Sequence, residues 1–304
     1  MILCCGESLI DMVPGDGAFL PLPGGSVYNT AVALGRLGAQ AGYLWPISQD
    51  AFGAALRAPL EDADVDISLC PSSPRPTTLA FVFLSDGLAS YSFYDEGTAG
   101  RMFETAALPA LPAAVTALFI GGISLVQEPC GSTVEELAHR AAQSGMVVMV
   151  DLNIRPQLIA DDRATRDRLG GLMRIADIVK ISDEDAGWLF PDLAPEDTAR
   201  TLLELGPRLI LRTHGAQGAT AIHRNLTLHR PADEAMIADT IGAGDTFNAG
   251  LLTALSEAGA LSRDGLDGLD APTLGAALDL ATKAASVTVS RAGANPPWRN
   301  ELPG

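Results

Sequence analysis

Positive charge is scarce in this sequence. Lysine occurs twice in 304 residues, as Lys180 and Lys283, and lysine and arginine together number 20 against 37 aspartates and glutamates. The formal net charge is therefore -17. Because nucleic acids and anionic membrane surfaces attract lysine- and arginine-rich surfaces, the composition argues against both as partners.

Cysteine is also infrequent, and the four cysteines lack the spacing of metal ligands. They are interpreted as small core residues in a reducing compartment. The opening MILCCGESLIDM has no basic region and only a short apolar run, so we expect a first strand rather than a signal peptide, and a cytoplasmic protein. Thr105 to Gln127 carries no charge, but prolines and glycines interrupt it, which favours a buried strand at Ala117 to Ile120 over a membrane helix.

The common nucleotide-binding motifs are missing as well. The sequence has no GxxxxGK[ST], and Gly242-Ala243-Gly244 lacks the third glycine of a GxGxxG fingerprint. The HRD and DFG motifs of protein kinases are absent too. If phosphate is bound, it is bound without a P-loop lysine.

Short apolar runs alternate with helical patterns from about Thr116 onward, and hydrophobic residues make up 47% of the chain. Repeated strand and helix predict an α/β fold with a parallel sheet covered on both faces. Function is then expected at the carboxyl ends of the strands. Polar residues follow the predicted strands there, namely Asp151, Asn153, Arg155, Lys180, Ser182 and Thr213.

One early region has a different pattern. TTLAFVFL and ASYSFY, between Thr77 and Tyr94, read as a β-hairpin with Asp86-Gly87 as its turn. With extended pieces near Phe19 to Pro23, the hairpin could form a small separate sheet. Such a sheet is either a lid over a site on the main domain or an edge hairpin without a role, and the pattern leaves both open.

DTIGAGDTFNAG, Asp239 to Gly250, resembles the start of a helix. Gly242 and Gly244 allow close approach of the backbone to a ligand, and the first-turn N–H groups favour a phosphate or a developing anion. The alternative is a helix capped by its own aspartate, Asp245. The tight pair of glycines and a second acidic residue, Asp239, weaken that alternative.

PGGSVYNTAVALGRLG, Pro23 to Gly38, predicts a second glycine turn followed by a helix. Gly24 and Gly25 permit an unusual turn, while Asn29 and the upstream Asp11 could hydrogen-bond a polyhydroxylated ligand. Taken alone, the pattern around Asn29 favours a helix cap over a ligand contact.

These stretches together resemble the ribokinase-type (PfkB) carbohydrate kinases, and the sequence as a whole is most similar to bacterial fructokinases. The likeness covers nearly the whole chain: GESLID, GGSVYN and GRLG, FYDEGTAGRM, DLNIRP, KISDED, RTHGAQGA, DTIGAGD and ATKAASVTVSRAGA, in that order. As an ordered set these motifs are highly specific.

The resemblance implies a single ribokinase-like domain over 1–304, a Rossmann-like parallel-sheet sandwich with a β lid from about 10–23 and 75–98. It implies ATP as donor, Mg²⁺ as essential metal, and transfer to the terminal hydroxymethyl group of a free sugar. Asp245 would be the catalytic base beside an anion hole of Gly242, Ala243 and Gly244.

The remaining site residues are also implied by the resemblance. Sugar contacts would fall on Asp11, Gly24, Gly25, Asn29, Tyr94 and Arg155. The nucleotide would be flanked by Lys180, Ser182, Thr213, Gly215, Gly218 and Lys283. Asp239 would take part in a monovalent cation site, with K⁺ as the cation, and the exposed lid suggests a homodimer.

Two departures from the family pattern bear on these assignments. The metal-linked Asn-x-x-Glu is replaced by Ser182 to Asp185, so Asp185 stands where the glutamate is expected and would reach Mg²⁺ through water. Asp95 stands where many sugar-binding relatives place an arginine, which disfavours an acidic sugar, although Arg101 and Arg155 could offset the repulsion.

A neutral ketohexose or pentose is therefore favoured, and the resemblance to fructokinases makes fructose the expected acceptor, with fructose 6-phosphate as product. 2-Keto-3-deoxygluconate, ribose or a nucleoside remain alternatives within the same chemistry. A catalytically silent sugar or nucleotide sensor on the same fold is the alternative from a different class.

Overall fold

The computed structural model describes residues 1–85, 88–233 and 235–303. Its strands in chain order are β1 (Ile2–Cys5), β2 (Leu9–Pro14), β3 (Phe19–Gly24), β4 (Ala41–Leu44), β5 (Ile47–Ser48), β6 (Ser72–Ser73), β7 (Leu79–Ser85), β8 (Leu88–Tyr94), β9 (Ala117–Gly121), β10 (Val147–Asp151), β11 (Ile178–Ser182), β12 (Leu209–Thr213), β13 (Ala219–His223) and β14 (Leu226–Arg230). The helices are α1 (Ser26–Arg36), α2 (Ala51–Asp62), α3 (Cys130–Gln143), α4 (Asp162–Ile175), α5 (Asp183–Leu189), α6 (Pro195–Leu205), α7 (Ala243–Glu257), α8 (Arg263–Asp267) and α9 (Ala271–Val289).

The main sheet has eight strands in the order β14, β13, β12, β11, β10, β9, β1, β4. The six strands from β12 to β4 are parallel, as predicted, whereas β13 and β14 run antiparallel at one edge. The sequence analysis did not predict this antiparallel edge. The rest of the predicted α/β architecture is confirmed.

The central strands are mostly apolar, as expected for strands whose two faces are both covered by helices. Every residue of β9, ALFIG, and of β10, VVMVD, is buried. Such unbroken apolar strands are typical of parallel sheets. The uncharged segment from Thr105 to Gln127 thus contains a buried strand, as expected. Among the described residues, no helix is long and apolar enough to cross a bilayer.

Helix α7 packs between α1 and α9. A methyl group on Gly250 would lie 2.7 Å from Cα of Ala281 on α9, so only glycine allows the two helices to approach this closely. Thr288 of α9 also donates a hydrogen bond to Thr246 of α7 at 2.9 Å. These contacts fix the start of α7 relative to the sheet.

A second sheet of four strands, in the order β3, β2, β7, β8, stands apart from the main one. It is built from the ranges predicted to form the lid, 10–23 and 75–98, with β7 and β8 as the predicted hairpin. The expected turn residues Asp86 and Gly87 lie outside the described residues. A role of this sheet as a lid on a single kinase domain stays a prediction.

Candidate active site

The site lies where the order of strands in the main sheet reverses relative to the chain. From β1 the chain continues to β4 on one side and later to β9 on the other. In open α/β sheets such a switch creates a crevice outside the carboxyl ends of the strands, where ligands bind. Glu7 follows β1 and Gly122 follows β9, so both stand at this crevice.

Helix α7 begins at the crevice through a turn that requires glycine. Gly242 is the N-cap residue with a φ of 78°, in the left-handed region, and an added methyl group would lie 2.9 Å from Cβ of Ala294. The N–H groups of the following turn, from Ala243 to Asp245, have no acceptor within the helix, and that of Ala243 donates to the carbonyl oxygen of Thr240 at 3.4 Å. Together with the helix dipole they favour an anion at this position.

Asp245 lies in this first turn and is held by helix α1. Its Oδ1 accepts a hydrogen bond from Oγ of Ser26 at 2.7 Å, and its Oδ2 accepts one from Nδ2 of Asn29 at 2.9 Å. Asp245 is therefore not the cap of its own helix, and Asn29 is not a cap residue either, because α1 begins at Ser26 after Gly25. Both cap interpretations are wrong, and the two motifs singled out in the sequence meet at one carboxylate.

Burial raises the pKa of Asp245 to about 6. The hydrogen bonds from Asn29 and Ser26 oppose this rise, the charge of Asp151 adds to it, and the charge of Lys180 opposes it. Asp245 is therefore ionised at neutral pH, yet it is a better proton acceptor than an exposed aspartate.

Asp11 on β2 is the second predicted carboxylate at the crevice. Burial and the charge of Asp245 raise its pKa to about 6. Its Oδ2 lies against Gly24, where a methyl group would collide with it. Gly25, with a φ of 115°, leaves no room for a side chain either, because its α-carbon faces the carbonyl oxygen of Glu7. These glycines allow the start of α1 to lie directly against the acidic residues.

Glu7 is a third buried carboxylate, and the sequence analysis assigned it no role. It is 6% exposed, and its two oxygens accept backbone N–H groups of Ser26 and Ser124 at 3.1 Å each. Burial raises its pKa to about 7, against the effect of these hydrogen bonds. The signal available was its place in GESLID, just after a buried strand that ends at the crevice.

Of the other predicted sugar contacts, Arg155 is exposed after β10, and its Nη1 donates to the carbonyl oxygen of Ile154 at 3.0 Å. Tyr94 is 63% exposed and packs against Phe81 in the second sheet. Tyr91 lies three positions earlier in β8. Burial raises the pKa of its hydroxyl group, the charges of Asp11 and Asp239 add to this rise, and the charge of Arg155 opposes it. Side chains alternate along a strand, so Tyr91 and Tyr94 face opposite sides, and Tyr91 is the tyrosine near the charged groups.

Lys180, predicted beside the nucleotide, is instead buried in the main sheet. It is 5% exposed, and its Nζ donates to both oxygens of Asp151, at 3.1 and 2.9 Å. Asp151 also accepts a hydrogen bond from Nδ2 of Asn248 at 2.7 Å. The structure thus gives Lys180 a protein partner beneath the start of α7.

Ser182 and Asp185 form the start of helix α5. Oγ of Ser182 accepts the N–H of Asp185, and Oδ2 of Asp185 accepts the N–H of Ser182, each at 3.0 Å. This is a reciprocal capping box. Oδ1 of Asp185 accepts the N–H of Ile154 at 2.7 Å. Among the described residues, no group of three or more His, Cys, Asp or Glu side chains could hold a metal ion.

The other residues predicted to flank the nucleotide lie at the next strand end and on α9. Thr213 ends β12, and Gly215 and Gly218, with φ values of 55° and 96°, form the turn that follows. Lys283 is half-buried on α9.

Asp239 connects two loops close to α7. Its oxygens accept the N–H groups of Ile241 and Gly293, each at 3.0 Å. The carboxylate thereby holds the segment that leads into Gly242 against the segment after α9.

A family model described as pfkB family carbohydrate kinase matches residues 12–301. A fructokinase from Rhizobium leguminosarum bv. trifolii is 43% identical over 279 residues, which cover 90% of this chain and 85% of that protein. A fructokinase from Escherichia coli is 31% identical over 303 residues, which cover 98% of this chain and 96% of that protein.

Solved structures agree with these matches. The crystal structure of a fructokinase with bound ATP from Xylella fastidiosa has a TM-score of 0.87 and 29% identity, and the match covers 99% of this chain and 94% of that chain. A fructokinase double mutant from Vibrio cholerae O395, in fructose, ADP and potassium ion bound form, has a TM-score of 0.86 at 24% identity, covering 96% and 93%. At that identity the second likeness concerns the fold alone. The ribokinase-like fold prediction is confirmed.

Replacing Glu7 by glutamine is expected to change how stability depends on pH. The folded-state pKa of Glu7 is raised to about 7, so between about pH 4.5 and pH 7 the folded protein binds a proton that the unfolded chain has released. The free energy of unfolding of the wild type should therefore fall as pH rises through this window, by up to about 1.4 kcal/mol per pH unit from this group. Urea unfolding at several pH values measures it.

The Glu7→Gln variant should have a shallower slope over the same window, whatever its absolute stability. Glu184→Gln, at an exposed position of α5, is the matched control and should keep the wild-type slope. Equal slopes for wild type and Glu7→Gln would show that Glu7 is not protonated in this range.

Proposed function

The chain belongs to the pfkB family of carbohydrate kinases, and we propose that it is an ATP-dependent fructokinase that converts fructose and ATP to fructose 6-phosphate and ADP. The observation that carries this proposal is the geometry of Asp245. Its carboxylate is buried at the start of α7 and is held by two donors from α1, beside N–H groups suited to an anion. The relatives named fructokinase favour fructose among the sugars.

In this proposal Asp245 orients the terminal hydroxyl of the sugar and accepts its proton. Phosphoryl transfer has a loose transition state, so positioning and charge stabilisation matter more than a strong base. Ser26 and Asn29 fix the carboxylate in one orientation. The N–H groups from Gly242 to Gly244 then stabilise the negative charge that develops on the transferred group.

The sugar would lie between the main sheet and the second sheet. Asp11, Gly24, Gly25 and Asn29 are placed around Asp245 and support this proposal. Arg155 and Tyr91 are near the same charged groups, whereas Tyr94 lies on the opposite face of its strand. A sugar contact by Tyr94 is the least supported of the predicted set.

ATP would lie along the ends of β11 and β12, where Ser182, Thr213 and Gly215 are exposed or half-buried and Gly218 completes the turn, with Lys283 on α9 beside it. Mg²⁺, when bound, would neutralise charge on the transferring phosphates. Asp185 fits an indirect contact, since a backbone N–H already occupies each of its oxygens and Mg²⁺ commonly keeps several waters. A K⁺ site at Asp239 is supported only by the way its carboxylate holds the loop before Gly242.

The structure gives a physical reason for preferring a neutral sugar. Arg101 pairs with Asp95 at 2.7 Å, and the pair borders a cleft that is also lined by Glu7, Ser8 and Ser124. The guanidinium that could have offset the missing arginine therefore already has a carboxylate partner. An acidic sugar such as 2-keto-3-deoxygluconate would instead meet the negative charge of Asp11, whose pKa of about 6 leaves it mostly ionised at neutral pH.

We also propose a cytoplasmic location. The cysteines Cys4, Cys5, Cys70 and Cys130 all carry free thiols, and burial raises the pKa of each of them. Such inert thiols suit a reducing compartment.

The proposed reaction predicts ADP release from ATP and Mg²⁺ with fructose as the preferred acceptor. In a panel of fructose, ribose, glucose, 2-keto-3-deoxygluconate and adenosine, fructose should give the highest kcat/KM. Asp245→Asn should lower kcat about 10³-fold with little change in KM, because the general base is lost. Asp270→Asn, at the cap of α9, is the control, since asparagine caps a helix equally well.

Another acceptor with the highest kcat/KM would refute fructose as the substrate. Near-normal turnover by Asp245→Asn would refute its role as base. Binding of sugar and nucleotide without any turnover would instead identify a silent sensor.

Replacing Asp95 by asparagine should shift the substrate preference. With Asp95 neutral, the guanidinium of Arg101 becomes available to a sugar carboxylate, and a charge-assisted hydrogen bond contributes about 1.5 kcal/mol. The ratio of kcat/KM for 2-keto-3-deoxygluconate to that for fructose should then rise about tenfold. Glu96→Gln, at the neighbouring exposed carboxylate, should leave the ratio unchanged. An unchanged ratio in Asp95→Asn would exclude the Asp95–Arg101 pair as a specificity determinant.

A homodimer through the second sheet is a further proposal. Leu20 and Leu22 expose apolar side chains on the face of this sheet that also carries Asp11, with Leu20 57% exposed. Sedimentation at micromolar concentration should show a dimer, and Leu20→Glu should dissociate it. Leu193→Glu, at an exposed leucine after α5, should not. A monomeric wild type would refute the proposal.

A further inference from the structure

A buried network lies directly beneath the first turn of α7. It consists of Lys180 on β11, Asp151 at the end of β10 and Asn248 on α7, joined by the three hydrogen bonds of 2.7 to 3.1 Å described above. Asn248 follows Asp245 by one helical turn. The network therefore connects two central strands to the helix that carries Asp245.

The two charges in this network are far from solvent. Asp151 is fully buried, and Lys180 is 5% exposed. Burying an ion pair costs about as much free energy as the attraction returns, and apolar residues of similar size would stabilise the fold at least as well. Stability alone therefore does not account for a charged pair at this position.

The geometry places the ammonium group against the helix backbone. A methyl group on Gly244 would lie 3.2 Å from Nζ of Lys180, so glycine lets the turn pack closely on the lysine. A full positive charge thus lies under the turn whose N–H groups would face the transferred phosphoryl group.

Both charges act on Asp245. Asp151 makes its ionised form less favourable, and Lys180 makes it more favourable. The pair as a whole is close to neutral, so its two effects oppose each other. The remaining carboxylates that act on Asp245 are Glu7, after β1, and Asp11, on β2, and its donors are Ser26 and Asn29 on α1.

We propose that Lys180 and Asp151 are positioning residues of the kinase site: they hold the first turn of α7 and balance the charge at Asp245, and Lys180 does not contact the nucleotide. This inference rests on the proposed function, because it assigns the pair a task in that phosphoryl transfer. In catalysis, the charge of Lys180 would offset that of Asp151, so that the buried aspartate can hold the helix turn without raising the pKa of Asp245 further.

The test is a titration of the Asp245 carboxyl group by ¹³C NMR of protein labelled at aspartate, with Asp245→Asn used to assign the signal. In Lys180→Met, Asp151 is left unopposed, and the midpoint of Asp245 should rise by about one pH unit. In Asp151→Asn, Lys180 is left unopposed, and the midpoint should fall by about the same amount. The double variant, whose interior is neutral, should titrate near the wild type.

Activity and binding give a second readout. The acidic limb of the plot of kcat against pH should move to higher pH in Lys180→Met and to lower pH in Asp151→Asn. The Kd for ATP should stay within about threefold of the wild-type value in both variants. Asp177→Asn is the matched control, because Asp177 is an equally buried carboxylate, paired with Arg208, at the other ends of the strands. It should leave the midpoint of Asp245 unchanged.

Unchanged midpoints in both single variants would overturn the proposal, as would a loss of ATP affinity of more than about tenfold in the double variant. If a single variant does not fold, the ATP affinity of the double variant, whose interior is neutral, still tests the proposal. A wild type without turnover on any sugar would refute the proposed function, while the titration shifts would still show whether the pair sets the charge of Asp245.

Discussion

The site depends on one interaction, the pair of hydrogen bonds from helix α1 to the carboxylate of Asp245. Ser26 and Asn29 each donate to one of its oxygens, so a group near the end of the chain is oriented by residues near its beginning. Around this contact lie Glu7 just after β1, Asp151 at the end of β10 and Lys180 in the middle of β11. The carboxylate is thereby fixed in direction by hydrogen bonds and in charge by its buried neighbours.

This arrangement places groups that proteins normally keep at the surface, namely carboxylates and a lysine, in the interior. Three acidic groups, Glu7, Asp11 and Asp245, have raised pKa values in a small volume, chiefly because they are buried. Glycines bring backbone against them, and a buried lysine compensates part of their charge. Costs of this kind are concentrated where a protein performs chemistry, which agrees with the kinase site proposed for this crevice.

The sequence predicted the individual motifs of this site better than the contacts between residues of different motifs. Asp245 and the glycines before it form a recognisable motif, and apolar runs such as those of β9 and β10 predict buried parallel strands. Nothing local indicated that Asn29 binds Asp245, since the two lie 216 positions apart. Lys180 is expected beside the nucleotide but lies buried against Asp151, because the pattern of a strand does not say towards which layer a side chain points. The antiparallel edge of β13 and β14 depends on pairing that short strands do not specify.

The connection between the two sheets has a mechanical consequence. β1 leads through Gly6, Glu7 and Ser8 into β2, and β3 leads through Gly25 into α1, so the first two connections to the second sheet are only a few residues long. Those crossings contain Glu7 and adjoin Ser26, two members of the chain of contacts that ends at Asp245. The second sheet is thus joined to the proposed site by two short connections. A rotation of that sheet over a ligand would also move the start of α1. Because Ser26 and Asn29 of α1 donate to Asp245, the same movement would change the orientation of its carboxylate.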